Sequence, residues 1–276
     1  IKCLGYLPRQ AQFNLPERHL GLVTAESAKQ TILETLDAVA TTLSSTCQLE
    51  QLVSLAQSAP PIQLEPLPIS PIEYAQRPVI AVAYDAAFSF IYPEMQECLQ
   101  AAGAEIALFS PIADQQLPTN CAGIILSGGY PELYAAELST NQAMLNALRQ
   151  AHAANVPMYA ECGGLMYLTE AIVDQAGQPW PMVGLLPGSS QMHQKVSLGY
   201  RTISVCNDNP LFSANSQVRG HEFPEPATAA YCIIAPDGTP QQHEGYQAGN
   251  LLASYIHLHW LANPSMAQRF VASCCS

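Results

Sequence analysis

Val156-Pro157-Met158-Tyr159-Ala160-Glu161-Cys162-Gly163-Gly164-Leu165 is the stretch on which the reading of this chain turns. Val156 to Ala160 is an apolar run of strand length. It enters a turn of small residues at Cys162-Gly163-Gly164, and a helix-like stretch from Leu165 to Ile172 follows. Small neighbours permit a sharp strand-to-helix turn, and the helix N-terminus behind it favours thiolate over thiol. Cys162 is therefore the candidate nucleophile. The blander reading, a buried cysteine beside a tight turn, suits an arbitrary cysteine better than one in this position.

Working outward, the flanking segments repeat the strand and helix alternation. Val79 to Tyr84 reads as a strand, Tyr92 to Ala102 as a helix stopped by Gly103, Glu105 to Phe109 and Ile124 to Leu126 as strands. Ser139 is placed to cap a helix that runs to about Ala154. Such alternation predicts a mostly parallel sheet with helices on both faces, an α/β class. From Val196 onward short strands and turns dominate.

Ligands of parallel sheets bind beyond the carboxyl ends of the strands. Ser127-Gly128-Gly129-Tyr130-Pro131-Glu132 occupies one such end. Paired glycines let backbone amides turn toward a ligand, so the N–H of Gly129 with that of Gly163 forms a candidate oxyanion hole. A cysteine nucleophile also needs a base. His257 and His259, in Tyr255-Ile256-His257-Leu258-His259-Trp260, share a face if extended, and spacing does not separate them.

Upstream of Val79 the pattern changes. Apolar residues between Ser27 and Gln57 recur at three- and four-residue spacing, which predicts two amphipathic helices. Prolines 60, 61, 66, 68, 71 and 78 then mark an extended linker. The expected organisation is residues 1–59, a linker at 60–78 and a domain at 79–276.

Composition limits the function classes. The 276 residues are 49% apolar and 12% charged, which excludes charge-driven disorder. A net charge of −12 repels phosphate backbones, so neither nucleic acid nor an anionic membrane is the expected partner. No apolar run reaches the roughly 18 residues of a bilayer span, and Ile1 to Gln10 lack the pattern of a signal peptide, so a cytoplasmic protein is expected. Nine scattered cysteines without a Cys-x-x-Cys pair indicate neither a disulfide framework nor a metal site. The chain opens on Ile1 rather than Met, as a fragment of a longer protein would.

Six motifs, in order, carry a specific resemblance: Ala87 to Glu94, the Gly-Gly-Tyr-Pro-Glu-Leu run from Gly128, Ala160 to Leu168, Leu198 to Arg201, Arg219 to Phe223 and Ala253 to His259. Together they resemble the cobyrinic acid a,c-diamide synthase family, which amidates two corrinoid carboxylates. The resemblance runs from Gly5 to about Phe270. It implies a class I glutamine amidotransferase, flavodoxin-like in fold, that takes L-glutamine, with Cys162 as nucleophile and His257 as base. Many class I relatives carry a carboxylate two residues after that histidine. Here His259 stands there, so the resemblance implies a Cys-His dyad oriented by another group, such as a backbone carbonyl.

The family's other half is a P-loop synthetase domain, similar to dethiobiotin synthetase, that uses ATP and Mg²⁺ to activate the substrate carboxylate. Residues 4–8 and 15–22 resemble its closing segment, yet no Gly-x-x-x-x-Gly-Lys-Ser/Thr occurs in this sequence. The resemblance therefore implies a C-terminal part whose glutaminase half needs no cofactor, with the N-terminal synthetase domain as partner. After Phe223 the family's histidine, tyrosine and serine give way to Pro224-Glu225-Pro226. A corrinoid polycarboxylate docking on so acidic a chain needs focused cations, and Lys195, Arg201 and Arg219, with His221, are the candidates. Phe88, Phe90, Tyr92 and Tyr130 are candidates for apolar contact or for core. Two other readings stay open: amidation of another tetrapyrrole such as nickel-sirohydrochlorin, and a non-catalytic binding or regulatory module.

Overall fold

The computed structural model describes residues 2–15, 28–63, 69, 76–191, 199–222, 230–235 and 237–275. It divides into two compact units, Ile1–Pro66 and Leu67–Ser276. In the first unit the three- and four-residue apolar spacing forms α1 (Lys29–Thr46) and α2 (Leu49–Gln57). An antiparallel bridge joins Gly5 to Cys47 at the end of α1.

The second unit begins with β1 (Val79–Ala83), α3 (Pro93–Ala101), β2 (Glu105–Phe109) and β3 (Cys121–Leu126). It continues with α4 (Ala135–Thr140), α5 (Gln142–Ala153), β4 (Met158–Glu161), α6 (Gly163–Leu168), β5 (Thr169–Val173), β6 (Pro179–Pro181) and β7 (Leu186–Gln191). Then come β8 (Gly199–Val205), β9 (Gln217–Glu222), β10 (Tyr231–Ile234), β11 (Pro240–Glu244), β12 (Tyr246–Ala248), β13 (Leu251–Ser254) and α7 (Ser265–Ser273).

The main sheet has the order β12-β13-β4-β3-β1-β2, in which only β12, at the edge, runs antiparallel to its neighbour. Its five parallel strands, numbered along the chain, follow the flavodoxin-like order 2-1-3-4-5. Side chains alternate across the sheet, so β1 feeds two cores. Ile80 and Val82 pack with Met95 and Leu99 of α3 and with Met266 and Phe270 of α7. Ala81 and Ala83 pack on the opposite face with Leu138 of α4, Leu145 and Leu148 of α5 and Leu165 of α6. The expected helix-covered α/β sheet is the architecture found.

Two local expectations are corrected. The cap of α5 is Asn141, not Ser139. Its Oδ1 accepts the Met144 N–H at 3.3 Å while its amide donates to the carbonyls of Pro111 and Asp114 at 2.8 Å, which ends α4 one residue earlier. The helix expected to reach Ile172 stops at Leu168. Thr169 donates its hydroxyl to the Met166 carbonyl at 2.7 Å, and the β-branched residues Thr169, Ile172 and Val173 continue as a strand beside β6 and β7.

The later strands form an antiparallel sheet of order β11-β10-β8-β9. One face buries Ile203, Val205, Val218, Tyr231 and Ile233 in the core shared with α3 and α7. The other carries Thr202, Ser204, Gln217, Arg219 and His221.

Candidate active site

Cys162 stands at the turn between β4 and α6 with φ 52° and ψ −108°, a left-handed conformation that a non-glycine residue adopts only under strain. Two contacts hold it there. Its N–H donates to the Ser254 carbonyl at the end of β13 (2.8 Å), and its own carbonyl accepts the Met166 N–H (3.1 Å). The turn is also steric. A Cβ on Gly164 would lie 2.1 Å from the Leu126 carbonyl oxygen, and one on Gly163 would lie 2.8 Å from Pro131 Cδ and 3.0 Å from the Gly129 nitrogen. Gly129 and Gly163 are thus brought together at the Cys162 turn. Neither amide is taken by a backbone hydrogen bond among the described residues.

His257 follows β13 and is 4% exposed. Its ring lies beside Cys162, which acts on it electrostatically. Its Nδ1 lies 2.9 Å from Oε1 of Glu161, the residue immediately before the cysteine. Glu161 is itself buried, and its Oε2 accepts the Tyr159 hydroxyl at 2.6 Å and the Leu258 N–H at 3.0 Å. Burial, the largest single influence on His257, disfavours its charged ring. Cys162 and Glu161, with their negative charge, outweigh it and push the imidazole up to about 10. A Cβ on Gly128 would come within 3.1 Å of His257 Cε1, so the ring has glycine for a floor.

The group beside the histidine, expected to be something other than a carboxylate two residues on, is the carboxylate of Glu161 rather than a backbone carbonyl. Neighbours in a strand point to opposite faces, which hides Glu161 from a strand reading. The positive φ at Cys162 breaks that alternation, and Glu161 and Cys162 reach the same imidazole. A second buried acid, Glu244, was also missed; it binds the Ser254–Tyr255 turn just ahead of His257.

On its other side His257 stacks against His221, with ring centroids 4.7 Å apart and planes 10° apart. Their backbones exchange hydrogen bonds of 2.8 and 3.2 Å. Burial, then the charge of His257, lowers the His221 imidazole pKa, while Glu161 opposes this. Both rings line a cavity of about 1130 Å³ over the polar face of the antiparallel sheet, where Arg201, Arg219 and His259 join them. No Asp or Glu lines it among the described residues. Lys195 and residues 223–226 lie outside the described residues. His259 is exposed and meets the Tyr92 ring edge-on at 5.1 Å. Phe88 and Tyr130 are core residues.

A family model described as a CobB/CobQ-like glutamine amidotransferase domain matches residues 79–265. Cobyrinate a,c-diamide synthase of Dehalococcoides mccartyi is 43% identical over 97% of this chain and 60% of its own length. The Salmonella typhimurium enzyme of the same name is 39% identical over 99% of the chain and 61% of its own length. The chain therefore spans about 60% of the curated relatives it matches. Among solved structures, PurLQS from Thermotoga maritima aligns with a TM-score of 0.50 at 14% identity, over 72% of this chain and 98% of that one, a likeness of fold alone. With a strained strand-to-helix turn at Cys162, a buried histidine and the flavodoxin-like sheet in place, the match over residues 79–265 makes this chain a member of the CobB/CobQ-like glutamine amidotransferase domain family.

Proposed function

We propose that this chain is the glutaminase part of an enzyme that amidates the a and c carboxylates of cobyrinic acid. The observation that carries this reading is the Glu161–His257–Cys162 array, its acid and imidazole buried and its cysteine half-buried, beside Gly129 and Gly163. The Cys162 thiolate attacks the side-chain amide carbon of glutamine. The N–H groups of Gly129 and Gly163 stabilise the resulting oxyanion. The C–N bond then breaks, His257 gives its proton to the departing nitrogen, and ammonia leaves a glutamyl thioester on Cys162. Water attacks that thioester with His257 as base, which releases glutamate and restores the thiolate–imidazolium pair. Glu161 holds the ring in the tautomer and orientation that both steps use.

The cavity supports the corrinoid side of the reading. In a chain of net charge −12, Arg201, Arg219 and His221 line one cavity without a lining carboxylate among the described residues, a setting suited to a polycarboxylate. Lys195 belongs to the same proposal on sequence grounds alone. ATP and Mg²⁺ would activate the acceptor carboxylate elsewhere. This sequence has no phosphate-binding loop, and its described residues gather no set of three metal-ligating side chains, so they do not fit that role. No described helix is long and apolar enough to cross a membrane.

Full-length enzyme carrying Cys162→Ala is expected to lose glutamine-dependent amidation and to keep ammonia-dependent amidation. Loss of both activities contradicts this division of labour. Side-by-side turnover of cobyrinate and nickel-sirohydrochlorin decides the macrocycle, with cobyrinate expected to be the faster.

A further inference from the structure

The segment that delivers His257, residues 255–258, leaves β13 after Ser254 and belongs to no helix or strand, its one backbone pairing being the His257–His221 bridge, yet its largely buried backbone donors must be satisfied. Other parts of the fold supply the acceptors. The Tyr255 N–H donates to Oε1 of Glu244 at 2.7 Å, and the Ile256 N–H donates to Ser254 Oγ at 2.9 Å. The His257 N–H donates to the His221 carbonyl at 2.8 Å, and the Leu258 N–H to Oε2 of Glu161 at 3.0 Å. Ser254 in turn donates its hydroxyl to Oε2 of Glu244 at 2.8 Å, while its carbonyl accepts the Cys162 N–H at 2.8 Å.

One carboxylate thus grips each end of the segment. Glu161 belongs to the catalytic strand β4. Glu244 is the last residue of β11, in the antiparallel sheet, and is 0% exposed. Burying a carboxylate is costly, and an apolar side chain of similar volume would fill the space without that cost. What the apolar side chain would not supply is two charge-assisted acceptors aimed at adjacent residues of one turn.

We propose that Glu244, acting through Ser254, is a positioning residue for the dyad: it sets the turn from which Ser254 anchors the Cys162 amide and from which His257 is projected. The proposal rests on the reading of Cys162 and His257 as nucleophile and base. Glu244 touches neither substrate nor sulfur. Its effect passes through the Glu244–Ser254 hydrogen bond, so the two residues act as one unit.

The test uses Glu244→Gln, Ser254→Ala and their double variant in the full-length protein that carries this chain. Three quantities are measured: kcat and KM for glutamine hydrolysis, the thermal midpoint, and the pH profile of Cys162 alkylation by iodoacetamide, followed by peptide mass mapping. Each single variant is expected to lower kcat about tenfold with KM within about twofold, as a small misplacement of reacting groups does. Alkylation of Cys162 near neutral pH slows in parallel and its profile moves to higher pH, while the thermal midpoint moves by a few degrees. The double variant is no worse than the poorer single one.

Wild-type kcat and alkylation profiles in both single variants overturn the proposal. So does a double variant whose loss is the product of the two single losses, or a fall in kcat that merely tracks the folded fraction. If Glu244→Gln does not fold, Ser254→Ala decides alone. Full glutaminase activity in Cys162→Ala is a different failure, since it removes the dyad rather than its support.

Discussion

The two sides of the His257 imidazole are built to different rules. One side is filled: Glu161 sits at 2.9 Å, Cys162 acts on the ring electrostatically, and Gly128 leaves no room for a Cβ without a 3.1 Å contact. The other side opens past His221, stacked at 4.7 Å, into about 1130 Å³ of space edged by arginine and histidine. The filled side can act only by preorganisation, because every group is fixed before substrate arrives. In the proposed function the open side acts by selective attraction, because it gathers arginine and histidine with no Asp or Glu lining it among the described residues. In the proposed function one imidazole is the wall between proton chemistry and recognition.

Breaking the filled side has the largest expected effect. Glu161→Gln keeps the shape but replaces the acceptor that fixes the tautomer, and kcat for glutamine hydrolysis should fall on the order of a thousandfold, against little change in KM. A loss below about tenfold would show that the ring is held by His221 and packing instead.

The same contrast has a signature in stability. The folded-state pKa of His257, about 10, lies above the ordinary imidazole value of 6.5, so proton binding favours the folded state. That contribution is complete below pH 6.5 and disappears as pH rises through 10. The thermal midpoint should therefore decline across this window, and the decline should shrink in Cys162→Ala, which removes one of the partners that raise the pKa. Equal declines in both proteins would mean that other groups dominate.

The open side should give the smallest effect and a different kind. Arg219→Gln is expected to weaken corrinoid binding several-fold and to flatten its salt dependence, measured by titration of the corrinoid absorbance. An unchanged salt slope would remove Arg219 from the docking surface.

How far each side could be read from sequence follows the same division. The elbow at Cys162 was legible because strand, small turn and helix are consecutive, and the six-motif resemblance pointed to His257 over His259. Arg201 and Arg219 stood out because the chain has only ten lysines and arginines. Glu161 was hidden by its own neighbour, whose positive φ no periodicity announces. Glu244 was hidden by topology, since it reaches the catalytic turn from a strand of another sheet. Thr169 to Ile172 reads as helix because its apolar spacing suits either state, and pairing with β6 and β7 decides for strand.

Covalent labelling puts the array to its most direct trial. The protein is treated at neutral pH with a diazoketone analogue of glutamine, and the adduct is mapped across the nine cysteines by peptide mass spectrometry. Labelling confined to Cys162, suppressed by excess glutamine and strongly slowed in Glu161→Gln, is the result expected. Adducts spread over several cysteines, or on others while Cys162 stays unmodified, would contradict the assignment of this sulfur as the nucleophile.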